Sequence, residues 1–162
     1  MRLLALTLLL AFAAPARADG NVGVGLIIGS PTGISLKFRT EEHIFDVGFG
    51  GAVLGATGLH VHADHLWSPR IVSGEASFDL RLYFGLGVRL LSHNLKGGVS
   101  DFHIGVRAPV GLAFDLTKTN VPIDVFLEAA PVLDKVFNRD RNQSHDDPDL
   151  GLNVGIGVRY YF

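Results

Sequence analysis

The chain has 162 residues, no cysteine, 20 glycines, 11 Phe, 3 Tyr and 1 Trp, and a formal charge of −2 at pH 7. That length holds one domain, the near-neutral charge argues against a nucleic-acid partner, and the lack of cysteine excludes a disulfide-stapled fold. Mean hydropathy is +0.31, high for a soluble domain, yet no apolar run reaches the roughly 18–20 residues that a membrane-crossing helix needs.

The first element is a leader. Met1-Arg2 precedes an almost wholly apolar stretch from Leu3 to Ala14, and Ala16-Arg17-Ala18 supplies an Ala-x-Ala end. Charged start, apolar core and small-residue end together predict a cleaved secretory signal over 1–18, leaving a single domain over 19–162. No cysteine stands at the cleavage site, which excludes a lipoprotein signal.

From there the pattern is period two, the signature of β-strands. Strands are predicted over 21–29 (Val22, Val24, Leu26, Ile28 against glycines), 33–40 (Ile34, Leu36, Phe38 against Ser35, Lys37, Arg39) and 43–53 (Phe45, Val47, Phe49 against Asp46, Gly48, Gly50). A fourth over 57–67 sets Leu59, Val61 and Ala63 against His60, His62 and Asp64. The fifth is cleaner, with Phe78 to Leu90 apolar at every second residue and Asp79, Arg81, Tyr83, Gly85, Gly87 and Arg89 between. Phe102 to Asp115 repeats it, with His103, Arg107, Pro109 and Asp115 on the polar face. In the seventh, over 122–133, Phe126, Ala129 and Ala130 blur the alternation, and Pro131 is expected to end or bend the strand. The eighth, over 150–162, sets Leu150, Leu152, Val154, Ile156, Val158, Tyr160 and Phe162 against Gly151, Asn153, Gly155, Gly157, Arg159 and Tyr161. Most links are short turns; those at 92–101 and 134–149 are longer and polar, and 68–77 is long for a periplasmic turn.

Eight strands without helices predict an all-β chain, an eight-stranded antiparallel up-and-down barrel. Alternation alone suits a soluble barrel as well. Three features favour a transmembrane one, with the apolar face outward. The best strands run 11–14 residues, against the usual five or six, and about 9–11 suffice to cross a bilayer at a tilt. The polar face is rich in Gly and Arg, and the whole chain has only Lys37, Lys96, Lys118 and Lys135 as lysines. Aromatic residues (Trp67, Phe78, Phe102, Phe114, Tyr160, Phe162) mark strand ends, where the membrane–water interface would lie. The Tyr160-Tyr161-Phe162 terminus has the form of a barrel-insertion signal, with Tyr160 and Phe162 as its apolar end. Even strand number puts both termini on one side, expected to be periplasmic.

Several segments carry a family likeness: Ile44-Phe45-Asp46-Val47-Gly48, His60-Val61-His62-Ala63-Asp64-His65-Leu66-Trp67, Val106-Arg107-Ala108-Pro109-Val110-Gly111, Asp124-Val125-Phe126-Leu127-Glu128-Ala129-Ala130-Pro131 and the closing Gly155-Ile156-Gly157-Val158-Arg159-Tyr160-Tyr161-Phe162. Over most of the exported chain these resemble a family of small, largely uncharacterised outer-membrane β-barrel proteins. The resemblance implies an eight-stranded transmembrane barrel and no established reaction.

The strand phases put Lys37, Arg39, Arg81, Arg89, Arg107 and Arg159 on the polar face with Asp46, Asp64, Asp79, Asp115, Asp124 and Glu128. Because unpaired buried charge is costly, this balanced set predicts an ion-pair ladder that fills the barrel. The expected function is a structural or surface-interaction role without catalysis. Alternatives are a narrow channel for small solutes and a lipid-modifying barrel enzyme, for which Ser144-His145-Asp146 is the only adjacent trio. His60, His62 and Asp64 share one strand face and are the weak metal candidates, with His103 or Asp46 as a third or further ligand. No cofactor is expected: Gly48-x-Gly50-Gly51 and Gly85-x-Gly87 lie within strands with no helix to receive phosphate. The expected partners are outer-membrane lipid, the barrel-insertion machinery during assembly, and an extracellular ligand at 92–101 and 134–149. The expected oligomeric state is a monomer.

Overall fold

The structure is a computed structural model. It describes residues 20–41, 43–51, 58–74, 77–94, 100–119, 121–138 and 148–162. The leader expected over 1–18 and the Ser144-His145-Asp146 trio lie outside these residues. Among the described residues no helix is long and apolar enough to cross a membrane.

The strands are β1 (Val22–Gly29), β2 (Gly33–Arg39), β3 (Ile44–Gly51), β4 (Leu59–Gly74), β5 (Asp79–Asn94), β6 (Ser100–Arg107), β7 (Val110–Asp115), β8 (Ile123–Asn138) and β9 (Asp149–Tyr161). β6 and β7 are one stave. Between Arg107 and Val110 the register advances by the same step against β5 (Gly87 to Phe84) and against β8 (Val132 to Ala129), so only the bridges at Ala108 and Pro109 are missing. Each neighbouring stave pairs antiparallel with the next, and β1 pairs with β9. The result is a closed eight-stranded antiparallel barrel, which leaves no open sheet edge.

Closure and tilt can be read from one circuit of paired residues. Val24, Leu36, Val47, Ala63, Val88, Val106, Leu133 and Leu150 are successive partners round the wall. The path returns to β9 at Leu150, ten residues from Tyr160, the partner of Val24. That stagger gives strands inclined at about 40° to the barrel axis. All eight residues on the circuit are apolar. One residue along, the parallel circuit is Gly25, Ser35, Gly48, His62, Arg89, Gly105, Asp134 and Asp149. The period of two therefore sorts an apolar outside from a polar inside.

The inner glycines have a packing role. Gly23, Gly48, Gly111 and Gly157 are the direct cross-strand partners of Tyr161, His62, Tyr83 and Phe126. A Cβ at any of the four would overlap its partner's ring. Each glycine thus lets a ring lie flat over the neighbouring strand inside a barrel too narrow for two side chains at one level.

Three expected boundaries move. β4 runs past Trp67 to Gly74, with register shifts after Trp67 and Ile71, so most of the 68–77 link is strand paired with β5. β8 continues to Asn138 and β9 begins at Asp149, so 134–138 is wall. Pro131 does not end β8, whose register with β9 runs through it unbroken. Its carbonyl accepts from Ala108 N at 3.0 Å, as Pro109 O accepts from Gly85 N at 2.8 Å. A proline lacks only the donor of such a pair, and the unbroken ladder on either side holds the strand in register.

Candidate functional site

Every cation and acid that the phases assign to the polar face lies inside the barrel, and nearly all are buried. They form tiers that tie staves together across the interior. At the end bearing the 51–58 and 138–149 links, Arg89 on β5 pairs with Asp134 on β8 and donates through Nη1 to Asn153 Oδ1 on β9 at 2.9 Å. Asn153 Nδ2 then donates to Ser30 Oγ at 2.6 Å.

In the middle, Arg107 on β6 lies between two acids. It donates to Glu128 on β8, and its Nε stands 3.2 Å from Asp64 Oδ1 on β4. Tyr83 on β5 donates to the other Glu128 oxygen at 3.1 Å. Below it Arg159 on β9 pairs with Asp46 on β3, donates to Ser35 on β2 at 2.8 Å, and reaches Asp124 on β8 at 3.7 Å. Its guanidinium lies 3.6 Å from the centre of the Phe126 ring, a close cation–π stack. Phe126, which blurred the sequence pattern, therefore points inward for a reason.

At the end holding residues 20 and 162, Arg39 donates to Asp115 at 3.2 Å, to Asp124 at 3.3 Å and to the Tyr161 hydroxyl at 2.7 Å. Tyr161 donates in turn to Asp124 at 2.5 Å. Asp79 receives Lys118 Nζ at 2.6 Å and Arg81 at 3.2 Å. Lys37 is buried, its Nζ 3.8 Å from Asp124 and 5.2 Å from the centre of the Tyr83 ring.

His60, His62 and Asp64 all face inward and are buried. The group with ligand atoms mutually within 4.8 Å is His62, Asp64 and Glu128, not the run on β4 alone. Asp46, one expected partner, pairs instead with Arg159; His103 lies on β6 and is not in the group. One imidazole and two carboxylates are a donor set for a divalent ion. Here Arg107 already lies against both carboxylates, so its guanidinium holds the place a cation would take.

Sequence phase brought out twelve of the charged interior residues but missed others. Asp134 has the parity of Glu128, six residues on, and becomes readable once β8 is carried through Pro131. Tyr83, Asn153 and Tyr161 stood on polar faces but carry no charge, so charge balance did not select them. Lys118 lies in the Thr117–Thr119 turn, where no periodicity exists to place it. Tyr160 faces outward, its ring packed edge-on to Phe162 at 5.0 Å.

Comparison of the chain with family models, with curated proteins and with solved structures gives no match.

Proposed function

We propose that this protein is an outer-membrane β-barrel of Gram-negative type, exported behind the 1–18 leader. Its interior is filled with ion pairs and its role is structural or in surface interaction, without catalysis. The resemblance to the family of small outer-membrane barrel proteins belongs to this reading. So do its partners: outer-membrane lipid around the wall, the insertion machinery reading Tyr160 and Phe162, and an extracellular ligand at the links expected over 92–101 and 134–149, of which 95–99 and 139–148 lie between the strands.

The inverted distribution of polarity carries the proposal. On the β6–β7 stave the outward residues from Phe102 to Phe114 are Ile104, Val106, Ala108, Val110 and Leu112, and most are well exposed. At about 3.3 Å per residue and about 40° of tilt, that stretch rises about 30 Å, the thickness of a bilayer's hydrocarbon core. Phe102 pairs with Phe137 at one rim. At the other rim the rings of Phe45, His65, Trp67 and Phe84 follow one another at 4.5–5.9 Å. A soluble barrel would expose a hydrophobic surface of this size to water at a large cost.

Cell fractionation with heat-modifiable gel migration tests the reading. The chain is expected in the outer-membrane fraction, migrating faster unheated than boiled. Recovery as a soluble periplasmic species overturns it. Planar bilayers test the filled interior: step conductance would favour the channel.

A further inference from the structure

At the end of the barrel that holds residues 20 and 162, the interior opens into a cavity of about 440 Å³. Its lining includes Lys37, Arg39, Arg81, Tyr83, Leu66 and Trp67, and the one acid among the described lining residues is Glu41, on the exposed β2–β3 turn. The acids that pair with these cations, Asp79, Asp115 and Asp124, are not on the lining. The cations thus present one face to the cavity and the other to their acid partners behind it.

Lys37 gives the second observation. It is 3% exposed, and its ammonium makes no hydrogen bond to any described residue, its nearest acid oxygen lying 3.8 Å away. A lysine carries three N–H donors, and Lys37 lies on the cavity lining, so these donors are left for what enters the cavity. Ile44, Leu66 and Ala113 add an apolar side to the same space. A concave volume of this size, open at the barrel end, with a few converging polar groups and an apolar wall is the usual form of a small-molecule site.

We propose that this cavity binds a small organic anion, a carboxylate with an apolar body. Lys37 Nζ receives the carboxylate, Arg39 and Arg81 add charge at the mouth, and the body lies against Leu66, Tyr83 and Trp67. The site stands on the barrel interior and does not depend on where in the cell the barrel resides. An anion fits because it supplies the acceptors that Lys37 lacks without displacing the existing pairs, and charge-assisted hydrogen bonds are the strong ones.

Trp67 is the single tryptophan of the chain and lines the cavity, so its fluorescence reports occupancy. The full folded barrel in detergent is titrated with benzoate and, as its neutral isostere, benzamide, with calorimetry as a second readout. Benzoate is expected to saturate, and benzamide to bind at least tenfold more weakly. Lys37→Met should lower benzoate affinity at least tenfold and Arg81→Gln severalfold, both barrels staying heat-modifiable. Equal binding of the two probes, binding of neither, or wild-type benzoate affinity in Lys37→Met overturns the proposal. Should Lys37→Met not fold, Arg81→Gln at the exposed mouth decides: unchanged affinity overturns the site, and a severalfold loss supports it.

Discussion

The middle of the barrel interior and its terminal end use the same chemistry under opposite conditions. The Arg107 and Arg159 side chains are each 1% exposed and each is held between acids from different staves. The Arg81 and Lys118 side chains, on Asp79 at the end, are 38% and 44% exposed. A buried guanidinium has no water to fall back on, so its acids must be present and its removal strands them. An exposed pair exchanges one set of solvated contacts for another and contributes little. The contrast teaches that counting ion pairs does not measure what they do for the fold. The middle tiers lock staves to one another, and the end tier leaves room for the cavity at Lys37.

The sharpest way to break this contrast is Arg107→Met. Methionine keeps an unbranched apolar stem but leaves Asp64 and Glu128 buried without their cation. The expected loss is about 3–5 kcal/mol, read as a shift of the urea midpoint of the heat-modifiable form. A loss below about 1 kcal/mol would mean that water reaches the middle tier and that the two regions do not differ.

Val106→Arg comes next and probes the other side of the same stave. Val106 is 60% exposed and lies between the two aromatic rims, one residue from Arg107 but facing outward. An arginine there is expected to cost about 2–4 kcal/mol in a bilayer and to be nearly neutral in a water-soluble barrel. Comparing refolding in lipid vesicles with refolding in buffer separates these outcomes. An arginine accepted at Val106 together with a harmless Arg107→Met would reverse inside and outside.

Much of this was legible because a strand has one rule. The parity of Lys37, Asp46, Arg89, Arg107 and Arg159 put each on the inner face, and closure of eight staves brought the faces together. What parity cannot give is height. Two residues on one face meet only if the stagger between their staves brings them level, so Arg107 reaches Asp64 and Glu128 while Asp46 goes to Arg159. The same gap explains the metal candidates: His60, His62 and Asp64 share one face of β4, but the third donor beside His62 and Asp64 is Glu128, from a stave that only the register identifies. Pro131 misled because a proline was read as a break, whereas the wall around it carries the ladder. The 68–74 extension was hidden because register shifts at Trp67 and Ile71 spoil the alternation there.

Gly157→Val sharpens the comparison from the packing side. Gly157 is the direct partner of Phe126, and a Cβ there would overlap that ring, on which Arg159 stacks. Crowding the middle tier should cost about 1–3 kcal/mol. Adding Phe126→Leu should recover part of it, because the overlap is then relieved, and the double-mutant cycle measures the coupling. Independent, additive losses would show that the glycine serves the strand backbone and not the ring.

The smallest effect should come from Lys118→Ala. Lys118 Nζ donates to Asp79 Oδ1 at 2.6 Å, the shortest lysine contact among the described residues, but Asp79 also keeps Arg81 at 3.2 Å. Distance alone would rank this pair among the strongest. Exposure ranks it among the weakest, because the ammonium recovers its hydration when the pair opens and Asp79 retains a cation. The expected loss is about 0–1 kcal/mol, and what there is should fade as salt is raised from low ionic strength. The measurement is the urea midpoint of Lys118→Ala beside that of Arg107→Met, at low and high salt. A loss at Lys118 as large as that at Arg107 and insensitive to salt would place the end tier under the same dry conditions as the middle. The cavity beside it would then be closed to water and to any anion arriving from solution.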